Sequence, residues 1–283
     1  MDYKTILVHA TGSRNGDALV TFAAQLALRH GAHLIGAVQT GAERFVRGTP
    51  PEGYMRDLTP LIDDLRRQAE QRANSFDALA RQAGLASFEY RIDDDDDAYA
   101  LARRAMYADL VIVGQSDPND PARAGAAIPE HVALHAPAPV LVLPHEGPHA
   151  GPHHGHYAPV FERILVAWNA SPEASRAVRL AMPLLERARK VEVATVCRDA
   201  GEDAALGGPD IALVLARQGV KAAQWQECRG IDADTALRTR TGEYRPDLVV
   251  MGCYGRSRFR ELLLGGVSRA MLRTMAAPVL MAH

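Results

Sequence analysis

The sequence predicts an α/β protein of two tandem doubly wound domains, each a five-stranded parallel sheet flanked by helices. Three observations predict it. The segment YKTILVHATGSRNGDALVTFAAQLALRHGAHLIGAVQT is echoed by FERILVAWNASPEASRAVRLAMPLLERARKVEVATVC, and the closings APAPVLVLPH and MAAPVLMAH match, so the chain is an internal duplication. Its apolar runs, such as ILVA and DLVVM, do not alternate with polar residues, as expected of parallel strands covered on both faces. Amphipathic segments of helical period separate those runs, and right-handed β-α-β crossovers then wind the sheet in both directions.

The elements follow in order. In the first half the pattern predicts strands over Thr5–His9, His33–Val38, Ser87–Ile92, Leu110–Val113 and Val140–Leu143, with a long second helix over Leu58–Ala83. In the second half it predicts strands over Ile164–Ala167, Val191–Val196, Lys221–Gln226, Leu248–Met251 and Val279–Met281. The intervening helices are Glu173–Ala188, Asp210–Gln218, Asp232–Tyr244 and Gly266–Thr274. Ser171 suits an N-cap and Pro172 the first helical position. The domains are 1–146 and 160–283, joined by the Gly/Pro/His-rich linker 147–159.

Composition narrows the functions. The chain has 283 residues, room for two domains of about 140 each. It is 47% hydrophobic and 23% charged, the profile of a globular protein with real cores. A net charge of −2 gives no electrostatic case for nucleic acid or an anionic membrane. No signal peptide and no apolar run of about 20 residues is read, so a soluble cytoplasmic protein is expected. Cys197, Cys228 and Cys253 lack CxxC spacing, and packing is preferred over a redox role for Cys253.

Several stretches carry two readings. GAERFVRGTPPEGYMRDLTP is a lid or a surface excursion. The five histidines 145, 149, 153, 154 and 156 form a solvated linker more readily than a metal site, since a Gly/Pro chain lacks fixed tetrahedral geometry. Asp93–Asp97 reads as helix capping and solvation rather than a cation loop, so no metal ligand is assigned.

The stretch MGCYGRSRFRELLLGGVSRAM carries the chemistry. Ligands in an open parallel sheet sit beyond the carboxyl ends of its strands. Gly252 and Gly255 are placed to let backbone approach a ligand without Cβ obstruction. Gly265 and Gly266 precede a helix whose free N–H groups attract anions, with Ser268 adding a hydroxyl and Arg256 a cation. Tight turns and helix entries use glycine too. Neither a Walker loop nor a GxGxxG fingerprint is present.

The spacing Gly252-x2-Gly255-x9-Gly265, followed by Val267, Ser268 and a PVL strand, resembles the universal stress protein family. ILVAWNAS and ILVHATGS resemble its first strand and turn, so nearly the whole chain is similar to tandem members. The resemblance implies a Rossmann-like fold, that of the adenine nucleotide alpha hydrolases, binding ATP or AMP, with or without Mg²⁺. Carried across, phosphates would meet Gly252, Gly255, Gly265, Gly266, Val267 and Ser268. Base and ribose would lie against Ala167, Asn169 and Val196. Asn169 stands where the family has Asp, and Gly266 where it has Ser or Thr, which weakens the site. In the first half Thr11, Asp117 and Pro129 replace the pattern, so no triphosphate is expected there.

No nucleophile–base signature such as GxSxG or HExxH occurs. The expectation is a nucleotide-dependent stress-response regulator rather than an enzyme, its protein partners unknown. A nucleotide-independent interaction scaffold and a slow phosphohydrolase are the alternatives. The last strands of the two halves are expected to pair as an intramolecular pseudo-dimer; further association into a homodimer is left open.

Overall fold

The structure, a computed structural model, describes residues 2–13, 15–43, 58–116, 127–145, 159–196, 208–227, 231–253 and 266–283. The first half runs β1 (Thr5–His9), α1 (Gly16–His30), β2 (His33–Gln39), α2 (Thr59–Gln82), β3 (Phe88–Asp93), α3 (Asp97–Arg104), β4 (Leu110–Gly114), α4 (Ile128–His135) and β5 (Val140–Leu143). The second runs β6 (Arg163–Trp168), α5 (Pro172–Leu180), α6 (Met182–Leu185), β7 (Lys190–Val196), α7 (Gly208–Arg217), β8 (Ala222–Glu227), α8 (Ala233–Tyr244), β9 (Leu248–Gly252), α9 (Gly266–Arg273) and β10 (Val279–Ala282). Every strand read from the sequence is present, with ends displaced by no more than a residue. The helix expected over Glu173–Ala188 is instead broken at Ala181 into α5 and α6. Pro183 causes the break: it supplies no N–H, and its ring crowds the carbonyl one turn back.

The strand order is β3-β2-β1-β4-β5-β10-β9-β6-β7-β8. Each half is doubly wound and parallel, and the halves merge through β5 and β10 into one ten-stranded sheet. That junction alone is antiparallel, with Val279 opposite Val142 and Met281 opposite Val140. The pairing expected of the two closing strands is therefore formed within the chain.

Continuous apolar strands follow from helices on both faces. Along β1, Ile6 and Val8 enter one core beside Phe22 and Phe76, while Leu7 enters the other beside Leu101 and Val132. In β6, Ile164 and Val166 share the first core and Leu165 the second. Each such side chain, fully buried, contributes about 1.5–3 kcal/mol. Glu192 of β7 is a buried charge in this apolar setting: its carboxylate is held bidentate by Arg240 of α8, at 2.7 and 2.6 Å. Arg240 also lies 5.3 Å from the Trp225 ring centroid and 5.7 Å from that of Tyr244.

The aspartate run after β3 has partners inside the protein. Asp93 takes Arg104 at 2.6 and 2.7 Å, Asp94 takes Thr40 and Arg66, and Asp95 takes Arg103. Asp96 caps α3 by accepting from the Ala98 N–H. The segment GAERFVRGTPPEGYMRDLTP lies largely outside the described residues, as do Cys197, Cys228 and the linker histidines beyond His145.

Candidate functional site

In the second half the strand order reverses between β6 and β9, and the chain leaves both strands at one edge of the sheet. A cavity of about 780 Å³ lies there, within the range of small-molecule sites. Ala167, Asn169, Val196, Gly252, Gly266, Val267 and Ser268 all line it. Seven of the sequence-derived candidates thus converge on one space. Gly255, Arg256 and Gly265 lie outside the described residues.

The turn from β6 into α5 forms one wall. Asn169 Oδ1 accepts from the Ser171 N–H at 3.2 Å, and Ser171 Oγ accepts from the Ala174 N–H at 3.1 Å, which caps α5 as Ser171-Pro172 predicts. Ala170 between them has φ of 55°, a left-handed conformation costly for a residue with a Cβ. Asn169 also lines the cavity, with two amide N–H donors and the second lone pair of its oxygen free of that turn. Ala167, Ala194 and Val196 supply an apolar surface at the ends of β6 and β7.

The opposite wall is the first turn of α9. Gly266, Val267 and Ser268 open onto the cavity, and the unpaired N–H groups of a helix start favour anionic oxygens. A Cβ placed on Gly266 meets nothing within 4 Å, so the glycine here keeps space open. Gly252 differs from its expected role. A Cβ there would lie 2.4 Å from the Ala174 nitrogen and 2.6 Å from the Glu173 carbonyl carbon. Its missing side chain admits the first turn of α5 against β9, rather than clearing a path for ligand.

The structure adds residues the sequence did not single out. Glu173 and Arg176 of α5 line the cavity, and Glu173 Oε2 is buried without a hydrogen-bond partner. His283 also lines it, with Nδ1 3.0 Å from the Cys253 carbonyl oxygen. In sequence, Glu173 reads as an ordinary first-turn acid and Arg176 as a solvated cation; only the closeness of α5 to β9 places them here. Cys253 itself is buried, and burial, then the Glu173 carboxylate, push its thiol up to about 12. Among the described residues no group of three or more His, Cys, Asp or Glu is arranged to hold a metal.

The matching edge of the first half carries different groups. Counting from Ile6 and Ile164, His9 stands at the place of Ala167 and Asn15 at that of Glu173; the pairings His9–Ala37 and Ala167–Ala194 then put Gln39 at the place of Val196. His9 and Gln39 are buried, and Asn15 donates to the His145 carbonyl oxygen. His145 in turn meets Gln115 Oε1 through its backbone N–H at 3.1 Å and through Nδ1 at 2.9 Å. Pro129 in the first turn of α4 lacks an N–H, and Glu130 puts a carboxylate in the same turn. Thr11 Oγ1 is taken by the Ser13 N–H, while Asp117 lies outside the described residues.

The fold is shared with solved structures. A universal stress protein from Archaeoglobus fulgidus DSM 4304 superposes with a TM-score of 0.72 at 17% identity, covering 99% of this chain and 96% of the other. A protein from Pseudomonas aeruginosa UCBPP-PA14, described as a putative universal stress protein, gives 0.58 at 18% identity over 99% and 93%. No curated protein matches the chain. No helix among the described residues is long and apolar enough to cross a membrane. The model of the Universal stress protein family matches residues 2–144 and again residues 161–283, and the chain belongs to that family as a tandem member.

Proposed function

We propose that this protein holds an adenine nucleotide, ATP or AMP, in its second half, and acts as a nucleotide-dependent regulator in the stress response. The observation that carries the reading is the cavity of about 780 Å³, bounded by an apolar surface at β6 and β7 and by the open first turn of α9. Those walls suit the two ends of a nucleotide: a flat base against Ala167 and Val196, and phosphate oxygens against the amides of Gly266, Val267 and Ser268. Asn169 presents N–H donors to a ring nitrogen or a ribose oxygen. Magnesium, when it accompanies the nucleotide, neutralises phosphate charge.

Holding rather than turnover is favoured by the same residues. Ser268 and His283 both line the cavity, yet no hydrogen bond joins them, and His283 Nδ1 is turned to the Cys253 carbonyl. Ser268 and His283 therefore do not form a nucleophile and its base at this cavity. The second half is the binding half in this reading, because the corresponding positions of the first carry His9, Gln39 and Asn15 and Pro129 removes an N–H from the first turn of α4.

Calorimetry with ATP and AMP, on the full chain and on Gly266→Asp, tests the reading. Asp at the start of α9 favours the helix dipole and meets no steric obstacle, so folding is retained while phosphate is repelled. Binding by the parent chain that falls at least about tenfold in the variant is expected, a loss of about 1.4 kcal/mol or more. Equal binding by both removes the α9 assignment.

A further inference from the structure

Glu173 and Arg176 are three residues apart on α5, close enough for an ordinary ion pair on a helix surface. Among the described residues no ion pair or hydrogen bond joins them, and Glu173 Oε2 is buried without a hydrogen-bond partner. Both line the cavity of the second half. Glu173 is partly buried, its Oε2 fully so, while Arg176 is exposed. A carboxylate partly withdrawn from water gains from a donor brought to it.

The neighbouring groups limit what that donor is. Asn169 Oδ1 accepts from the Ser171 N–H. Glu173 is the carboxylate among the lining residues, and it packs beside Gly252. The first half lacks the pair altogether: Asn15 and Ala18 occupy the two positions, and Asn15 is engaged with His145.

We propose that Glu173 and Arg176 determine the specificity of the site: Glu173 accepts hydrogen bonds from the vicinal hydroxyls of a ribose, and Arg176 binds phosphate. The ligand class is a ribonucleotide with free 2′ and 3′ hydroxyls. This rests on the nucleotide reading above and assigns roles that the glycine motif does not contain. A hydrogen bond to a charged acceptor is worth roughly tenfold or more in affinity.

Calorimetry on the full chain with AMP, 2′,3′-dideoxy-AMP and adenosine separates the outcomes. The parent chain is expected to prefer AMP over the dideoxy analogue by roughly tenfold or more, and Glu173→Gln to reduce that preference to within roughly threefold. Arg176→Ala is expected to weaken AMP by roughly tenfold and leave adenosine unchanged. Unchanged thermal unfolding of both variants shows that they fold. A preference that persists in Glu173→Gln, or its absence in the parent, overturns the role of Glu173 while nucleotide binding stands. Equal losses for AMP and adenosine in Arg176→Ala overturn the role of Arg176. Failure of the parent chain to bind any of the three overturns the nucleotide reading itself.

Discussion

The thiol of Cys253 donates to the carbonyl oxygen of Ala133 at 3.3 Å, across the seam where the two halves meet. The residue after β4 makes the reciprocal contact: Gln115 Nε2 donates to Leu272 O at 2.7 Å and to Arg273 O at 3.2 Å. Each half thus ties the end of its fourth strand to the last helix of the other. Gln115 closes free carbonyls in the final turn of α9, whose first turn faces the cavity.

Gln115→Ala is expected to destabilise the protein by about 1–3 kcal/mol, because the α9 carbonyls and His145 lose their shared partner. Urea unfolding with a native and a seam-sensitive probe measures it. A change below about 0.3 kcal/mol would show that the seam is held by β5 and β10 alone.

Cys253 is expected to resist alkylation at pH 8 in the folded protein, since burial raises its thiol to about 12 and thiolate is the reactive form. Mass spectrometry of the peptide spanning residue 253, before and after denaturation, gives the comparison. Rapid modification of the native protein would restore the redox reading that packing displaces.

The two glycines of the site are expected to behave oppositely. Gly252→Ala forces a methyl against the Ala174 nitrogen and costs about 1–3 kcal/mol of stability. Gly266→Ser is expected to cost less than about 0.5 kcal/mol and to tighten nucleotide binding by adding a donor at the α9 start. Thermal unfolding with and without AMP reads both effects.

These contrasts show how much was legible in the sequence. Strand runs such as ILVA announce double-sided burial, and Ser171-Pro172 announces the start of α5, because both signals are local. Pro183 was equally visible, yet one proline within a strong amphipathic pattern was outweighed, and the helix breaks there. Gly252 shows the deeper limit: sequence states that a Cβ is missing, while only packing states that α5 fills the space. Glu173, Arg176 and Gln115 acquire their surroundings from segments far along the chain, and no local period encodes that.

Arg240→Ala is expected to destabilise by about 3–5 kcal/mol, as it strands the buried Glu192 carboxylate without its partner. Glu192→Gln in the same background is expected to recover part of the loss. Chemical denaturation of the single and double variants supplies the cycle, and additive losses would contradict the coupling.

His30 is buried against the Tyr3 ring, with Asp2 Oδ1 at 3.2 Å and an Arg187 nitrogen at 3.5 Å. Burial and then Arg187 lower its pKa beneath 6.5, outweighing the pull of Asp2. The folded state therefore binds fewer protons than the unfolded chain just below pH 6.5. Its contribution is fully present above that pH and declines as pH falls toward the lowered value. The stability lost between pH 7.5 and 5.5 is expected to be smaller in His30→Asn than in the parent chain, by urea unfolding. An equal loss in both assigns the pH dependence elsewhere.

Soaking a crystal with 8-bromo-AMP locates the nucleotide, since bromine marks the base by anomalous scattering. One bromine peak per chain is expected near Ala167 and Val196, with phosphate density at the amides of Gly266–Ser268. A peak at the first-half edge beside His9 and Gln39, or none in the second half at saturating ligand, would contradict binding by the second half.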